Sequence, residues 1–233
     1  MKITIILCLL LFALPAWAGT LFDDFSDGDF EGWTETWMNQ NQTTWKVESG
    51  VLMCDNLSDW SAFLVIGDST WQDYVVTCKA RFVAARNNLP TFGIGLRHSG
   101  LVGAGFKTIW FGLNPFPMQF LGEGAGVVYL EEVQQVTKKE KQMPVEAGRW
   151  YNLKVNAQGD HFIFYVDGEE VIDIRDNSLV SGAVGLEAHA AIAEYDNVMI
   201  TGDNVPDMNL SVNSSGKLTI SWARLKVLTV APL

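Results

Sequence analysis

Turn-forming residues recur along this chain about every eight to twelve residues, and the runs between them alternate apolar and polar side chains. Glu48-Ser49-Gly50, Gln158-Gly159-Asp160, Asp167-Gly168 and Ser181-Gly182 are such breaks. Between them, Tyr74, Val76, Cys78, Ala80 and Phe82 alternate with Val75, Thr77, Lys79 and Arg81. A period of two places one set on a buried face and the other on a wetter face. Phe162, Phe164 and Val166 repeat the pattern. Asp167-Gly168 then predicts a tight hairpin, because both central positions of a type I′ turn need positive φ. This rhythm predicts an all-β chain, a sandwich or a barrel. Val128 to Lys141 also fits a helical period, but its Val and Thr content favours a strand with a charged, exposed end.

Residues 1–18 read as a secretory signal peptide: Lys2, an apolar run from Ile5 to Leu14, then small residues at Ala16-Trp17-Ala18. The run is about ten residues long, too short for a bilayer, and no later run reaches about 18, so no membrane span is expected. The expected location is secreted, extracellular or periplasmic. One domain is expected over residues 19–204, ending near Asp203-Asn204-Val205-Pro206, with 205–233 as a tail or linker. Cys8 leaves with the leader. Cys54 and Cys78 remain, either as a disulfide, which export permits, or as two buried thiols. With 27 acids against 16 basic residues the net charge is −11, which argues against nucleic acid or an anionic membrane as partner.

Three blocks then occur in order. The first is Phe22-Asp23-Asp24-Phe25-Ser26-Asp27-Gly28 with Gly32-Trp33 and Trp45-Lys46-Val47. The second is Gly148-Arg149-Trp150-Tyr151-Asn152-Leu153, followed by Phe164-Tyr165-Val166-Asp167-Gly168. The third is Ser181-Gly182-Ala183-Val184-Gly185-Leu186-Glu187, followed by Tyr195-Asp196-Asn197-Val198. Their order resembles the concanavalin A-like lectin/glucanase superfamily. Within it the chain is most similar to laminin-G-like and 3-keto-disaccharide hydrolase-like domains and to levan-binding carbohydrate modules. The resemblance implies an antiparallel two-sheet jelly roll whose concave face or rim meets sugar. Trp33, Trp45, Trp150 and Phe164 are the expected core pegs.

Phe22 to Trp33 is the most acidic stretch, and it lacks the spacing of an EF-hand loop. Asp27-Gly28-Asp29 reads as a turn whose acids cap backbone N–H groups or face water. The resemblance adds an alternative, since the first and last strands of such sandwiches lie side by side and can share a structural Ca²⁺. Asp24 and Asp196 are then the ligands, with Asp23 and Asp27 in weaker roles.

Glycosidases need two carboxyls about 5–9.5 Å apart. The Glu-x-Asp-x-x-Glu strand of the superfamily's glucanases is missing here. Glu187, with His189 two residues on, is the only acid beside an acid/base partner, and the pair reads either as weak catalytic candidates or as a polar pair lining the concave sheet. Arg97, Trp110, Glu187 and His189 are the expected sugar-binding residues, with His98 and Lys107 nearby. Arg97 leads them, because alternation through Phe92, Ile94 and Leu96 puts it on the face opposite the core, above Gly93 and Gly95. The expected function is a secreted, non-catalytic module for a glycan or another extracellular polymer. The alternatives are a hydrolase of a sugar derivative and an adhesion domain.

Overall fold

The structure, a computed structural model, describes residues 18–37, 43–56, 61–86, 90–100, 106–116, 123–131 and 134–211. Residues 1–17 of the expected leader and the tail beyond Ser211 lie outside these. Every described element is a strand. In chain order they are β1 (Gly19–Asp23), β2 (Thr34–Trp37), β3 (Thr43–Glu48), β4 (Val51–Asn56), β5 (Ser61–Ile66) and β6 (Tyr74–Ala85). Then come β7 (Thr91–Ser99), β8 (Lys107–Asn114), β9 (Gly124–Glu131), β10 (Gln134–Gln142) and β11 (Trp150–Gln158). The chain continues with β12 (His161–Val166), β13 (Glu169–Arg175), β14 (Ala183–His189), β15 (Ala191–Gly202) and β16 (Met208–Asn209).

They form two sheets. One runs β13-β12-β11-β6-β15-β1-β16, with β4 also paired to β15 and β3 to β4; the other runs β10-β9-β8-β7-β14-β5-β2. All pairs are antiparallel except β1 with β16. The alternation read in the sequence is what faces the sheets together. On β6, Tyr74, Val76, Cys78, Ala80 and Phe82 are buried while Lys79 and Val83 are exposed. Phe111 of the second sheet meets Phe162 at 6.1 Å and Phe164 at 5.6 Å of the first. Each such side chain, fully buried, contributes about 1.5–3 kcal/mol of transfer free energy. Asp167 and Gly168 have φ of 51° and 84°, as the hairpin turn requires.

Three expectations change, and the alternative left open for the two cysteines is decided. Trp150 is only partly buried, on the outside of the first sheet under the Arg81 guanidinium (4.6 Å to the ring), and Tyr151 takes the core position. Cys54 and Cys78 are buried free thiols. They sit on β4 and β6 with β15 between them, so their backbones are about 9.5 Å apart or more, beyond the reach of a disulfide. Residues 128–141 are the two arms of a hairpin, β9 and β10, rather than one strand. The sandwich also runs past residue 204: β16 pairs with β1, Val205 and Leu210 are buried, and the Leu210 N–H donates to Phe22 O at 2.8 Å.

At one margin the sheets are laced together. Lys139 Nζ donates to Asp173 O at 2.8 Å, Lys141 Nζ to Glu170 O at 3.4 Å, and Lys138 pairs with Asp176 at 3.1 Å. The bonds run from β10 to β13 and to Asp176, just beyond β13.

Candidate functional site

The face of the second sheet that points away from the core carries its own apolar layer. Phe63, Phe106, Trp110, Val128 and Leu130 are buried there, separate from the main core. Alternation dictates the membership: Val184, Leu186 and Ala188 of β14 enter the core, so Ala183, Gly185, Glu187 and His189 turn outward. Glycine floors part of this face. A Cβ on Gly112 would stand 1.8 Å from the Trp110 indole, so the ring lies flat where that side chain would be.

Glu187 sits at the centre, 1% exposed. Its Oε2 accepts from Trp110 Nε1 at 3.0 Å and its Oε1 from Ser61 Oγ at 2.6 Å, while Thr91 Oγ1 lies 3.3 Å from both oxygens. Ser61 Oγ is also 3.5 Å from His189 Nδ1. From the core side, Tyr195 Oη takes the Gly93 N–H at 2.9 Å and bonds Glu187 O. Burial pushes the Glu187 carboxyl up to about 8, against the opposing pull of the Ser61, Trp110 and Thr91 bonds. At neutral pH it is mostly protonated. No other carboxyl contributes to that shift. Trp110, Glu187 and His189 are therefore brought together as expected, but the first two are sealed inside the protein's own packing.

Arg97 is not with them. Between β7 and both its neighbours the register slips by one residue, at Gly95 to His98 against β14 and at Leu96 to Ser99 against β8. This is a bulge, and Arg97 occupies it with φ of 50°. Its guanidinium turns to the far sheet, donating to Leu179 O at 2.6 Å, Gln72 O at 3.4 Å and Gly159 O, and lying 4.6 Å from the Phe162 ring centre. At 1% exposure it is a buried clasp between loops. The extra residue passes the outward position to His98, which pairs with the outward Ala183. His98 is among the residues the sequence offers for sugar binding, but nothing in Leu96-Arg97-His98 marks the bulge that turns it outward in place of Arg97.

His98 is 4% exposed, its ring 5.2 Å from Phe63 and 5.0 Å from Phe106. Burial lowers it to about 4, so the ring is neutral. It lines a cavity of about 340 Å³ with Thr36, Val65, Asp68, Ser99 and Ala183, among others. Lys107 pairs with Glu131 at 2.7 Å, away from this cavity's lining. Phe116, in the segment after Asn114, is exposed and edge-on to Phe82 at 6.3 Å.

The acidic stretch is a run of capped turns. Asp24 Oδ1 accepts from Ser26 N at 3.0 Å, Asp29 Oδ1 from Glu31 N at 2.8 Å, and Asp27 Oδ1 from Asp29 N at 3.5 Å. Asp23 points inward, taking Phe25 N and Trp33 Nε1, both at 2.9 Å, and burial raises it to about 6. Each of its oxygens accepts one of these bonds, and at 1% exposure the side chain faces the core rather than the surface turn. Burial raises the Asp196 carboxyl, with a smaller push from the Asp24 charge. Among the described residues no group of three or more His, Cys, Asp or Glu side chains is arranged to hold a metal. Nor is any helix there long and apolar enough to cross a membrane.

Two facing antiparallel sheets, one with an apolar and polar outer layer, make this a concanavalin A-like jelly-roll sandwich. Carbohydrate-binding module CBM66 from Bacillus subtilis superposes with a TM-score of 0.59 at 22% identity, covering 72% of this chain and 93% of that one. The Bacillus licheniformis β-glucanase superposes with a TM-score of 0.54 at 12% identity, over 79% and 98%. The model of the 3-keto-alpha-glucoside-1,2-lyase-like domain matches residues 18–201, and the chain belongs to that family. An extracellular exo-alpha-L-arabinofuranosidase of Streptomyces chartreusis is 24% identical over 168 residues, which are 67% of this chain. The chain thus spans only 19% of that relative's length.

Proposed function

We propose that this chain is a carbohydrate-binding module that acts outside the cytoplasm and does not hydrolyse its ligand. The observation that carries the reading is the state of Glu187. A catalytic acid must touch the glycosidic oxygen and work with a second carboxyl about 5–9.5 Å away. Glu187 is sealed, and both its oxygens have protein partners. It braces β5, β7, β8 and β14 into one stiff face on which a sugar can be received. The family and the CBM66 superposition support a sugar-related role. The test is a glycan array read alongside a hydrolysis assay on every glycan bound. Binding without release of sugar is expected. Release that Glu187→Gln abolishes overturns the non-catalytic reading, and an array with no binding overturns the module reading.

A hydrolase is the second reading, favoured by one observation: a carboxyl that keeps its proton up to about pH 8 is a general acid in waiting. It requires the packing over Glu187 to open. Structural calcium at Asp24 and Asp196 belongs to the same proposal, without Asp23. A melting temperature identical in calcium and in chelator removes it.

A further inference from the structure

The cavity beside His98 has unmet hydrogen-bonding capacity in its walls. Neither nitrogen of His98 makes a hydrogen bond of good geometry, although the Gly100 backbone lies near enough to act on the ring, and Thr36 Oγ1 has no partner. Thr36 is 5% exposed, His98 4%, and both line the cavity. Buried polar groups left unpaired are costly, so a native fold rarely keeps several of them at one place without a use. His98 comes to this face because of the bulge at Arg97, a local irregularity of the kind that re-aims side chains beside binding sites.

The chemistry of the walls narrows the occupant. A neutral imidazole offers one donor and one acceptor, and a threonine hydroxyl offers both. Ser99 adds another hydroxyl. Groups that both give and take hydrogen bonds match hydroxyls better than they match ions. Among the described residues no Lys or Arg lines the cavity, and the charged residue there is Asp68, which repels anions. Val65 and Ala183 supply an apolar patch, suited to the C–H face of a ring. About 340 Å³ lies at the small end of ligand cavities.

We propose that this cavity seats one uncharged, polyhydroxylated ring, a neutral sugar or cyclic polyol, with His98 and Thr36 as its hydrogen-bonding wall. The assignment rests on the carbohydrate-binding reading and names its site. That site is the end of the outer face near β2, not the sealed centre at Glu187.

The test uses the full chain and four neutral probes, D-glucose, D-galactose, D-fructose and L-arabinose, with D-glucuronate as the anionic control. Imidazole resonances are followed by NMR; the chain has three histidines, and the signal lost in His98→Phe assigns His98. At least one neutral sugar is expected to move the His98 resonances saturably, while glucuronate does not. His98→Ala should weaken that sugar about tenfold. Thr36→Val, which keeps the branched shape of an edge-strand residue, should weaken it severalfold with the melting temperature retained. A ring that no sugar moves holds no more than trapped water, and the assignment falls. Glucuronate binding as well as a neutral sugar overturns it too. If the array finds a glycan whose affinity both variants leave unchanged, the binding module stands and the cavity is not its site. A silent array with a still ring defeats both.

Discussion

Trp110 Nε1 on β8 donates to Glu187 Oε2 on β14 at 3.0 Å, reaching over the whole width of β7. The span works because the backbone beneath is bare: Gly93 of β7 pairs with both Gly112 and Glu187. A side chain at Gly112 would push the indole off its acceptor, and one at Gly93 would meet the β8 backbone at Phe111 and Gly112.

Gly112→Ala should therefore destabilise the fold by roughly 2–4 kcal/mol, since the new methyl displaces a buried indole and strands a buried acceptor. Urea denaturation measures it. In a Trp110→Phe background the same change should cost clearly less, because the smaller ring leaves room. Equal costs in both backgrounds would show that the indole is not what the methyl meets.

The Glu187 carboxyl gives the stability curve a sign. Its folded value is raised to about 8 from an ordinary 4.5. The folded state therefore holds a proton that the unfolded chain releases between those values, and stability falls as pH rises through the window. The melting temperature should drop from pH 5 to pH 8. Asp23, raised from 3.8 to about 6, adds to the fall in the lower part of that range, while His98, lowered from 6.5 to about 4, works against it there, so the drop is steepest above about pH 6.5. Glu187→Gln mimics the protonated acid. It should be near-neutral or mildly destabilising at pH 5, more stable than the parent at pH 8, and flatter between pH 6 and 8. Parallel melting curves for the two proteins would contradict the burial of this acid.

Arg97→Ala should cost about 3 kcal/mol or more, because it leaves the Leu179, Gln72 and Gly159 carbonyls without a charged donor and opens space over Phe162. Arg97→Lys should recover only part of this, as an ammonium cannot fork to loops on several sides. Sugar affinity, measured on the protein that remains folded, should not track the loss.

Leu210→Ala should destabilise by about 2–3 kcal/mol in urea, since Leu210 is buried beyond the expected domain boundary and is tied to Phe22. A cost below about 0.5 kcal/mol would return these residues to the linker.

The layers were legible because alternation is local. Tyr74 to Phe82 declare their faces, and Asp167-Gly168 declares its turn. Two kinds of feature were not. Whether Cys54 and Cys78 meet depends on β15 arriving between their strands from far along the chain. Whether Arg97 or His98 faces outward depends on a single extra residue in β7, and alternation assumes that no such residue exists. The centre of the site was readable from Trp110, Glu187 and His189, which keep their parity. That the centre is closed was not, since the apolar layer over it gathers Phe63, Phe106 and Val128 from separate strands.

The lysines of β10 have a consequence for life at high concentration. A free strand margin is an invitation to any other chain that can extend alongside it. Here Lys138, Lys139 and Lys141 bend across to β13 and Asp176, and their charges crowd the place where a newcomer would lie. This margin is thereby guarded against edge-to-edge pairing with a second copy.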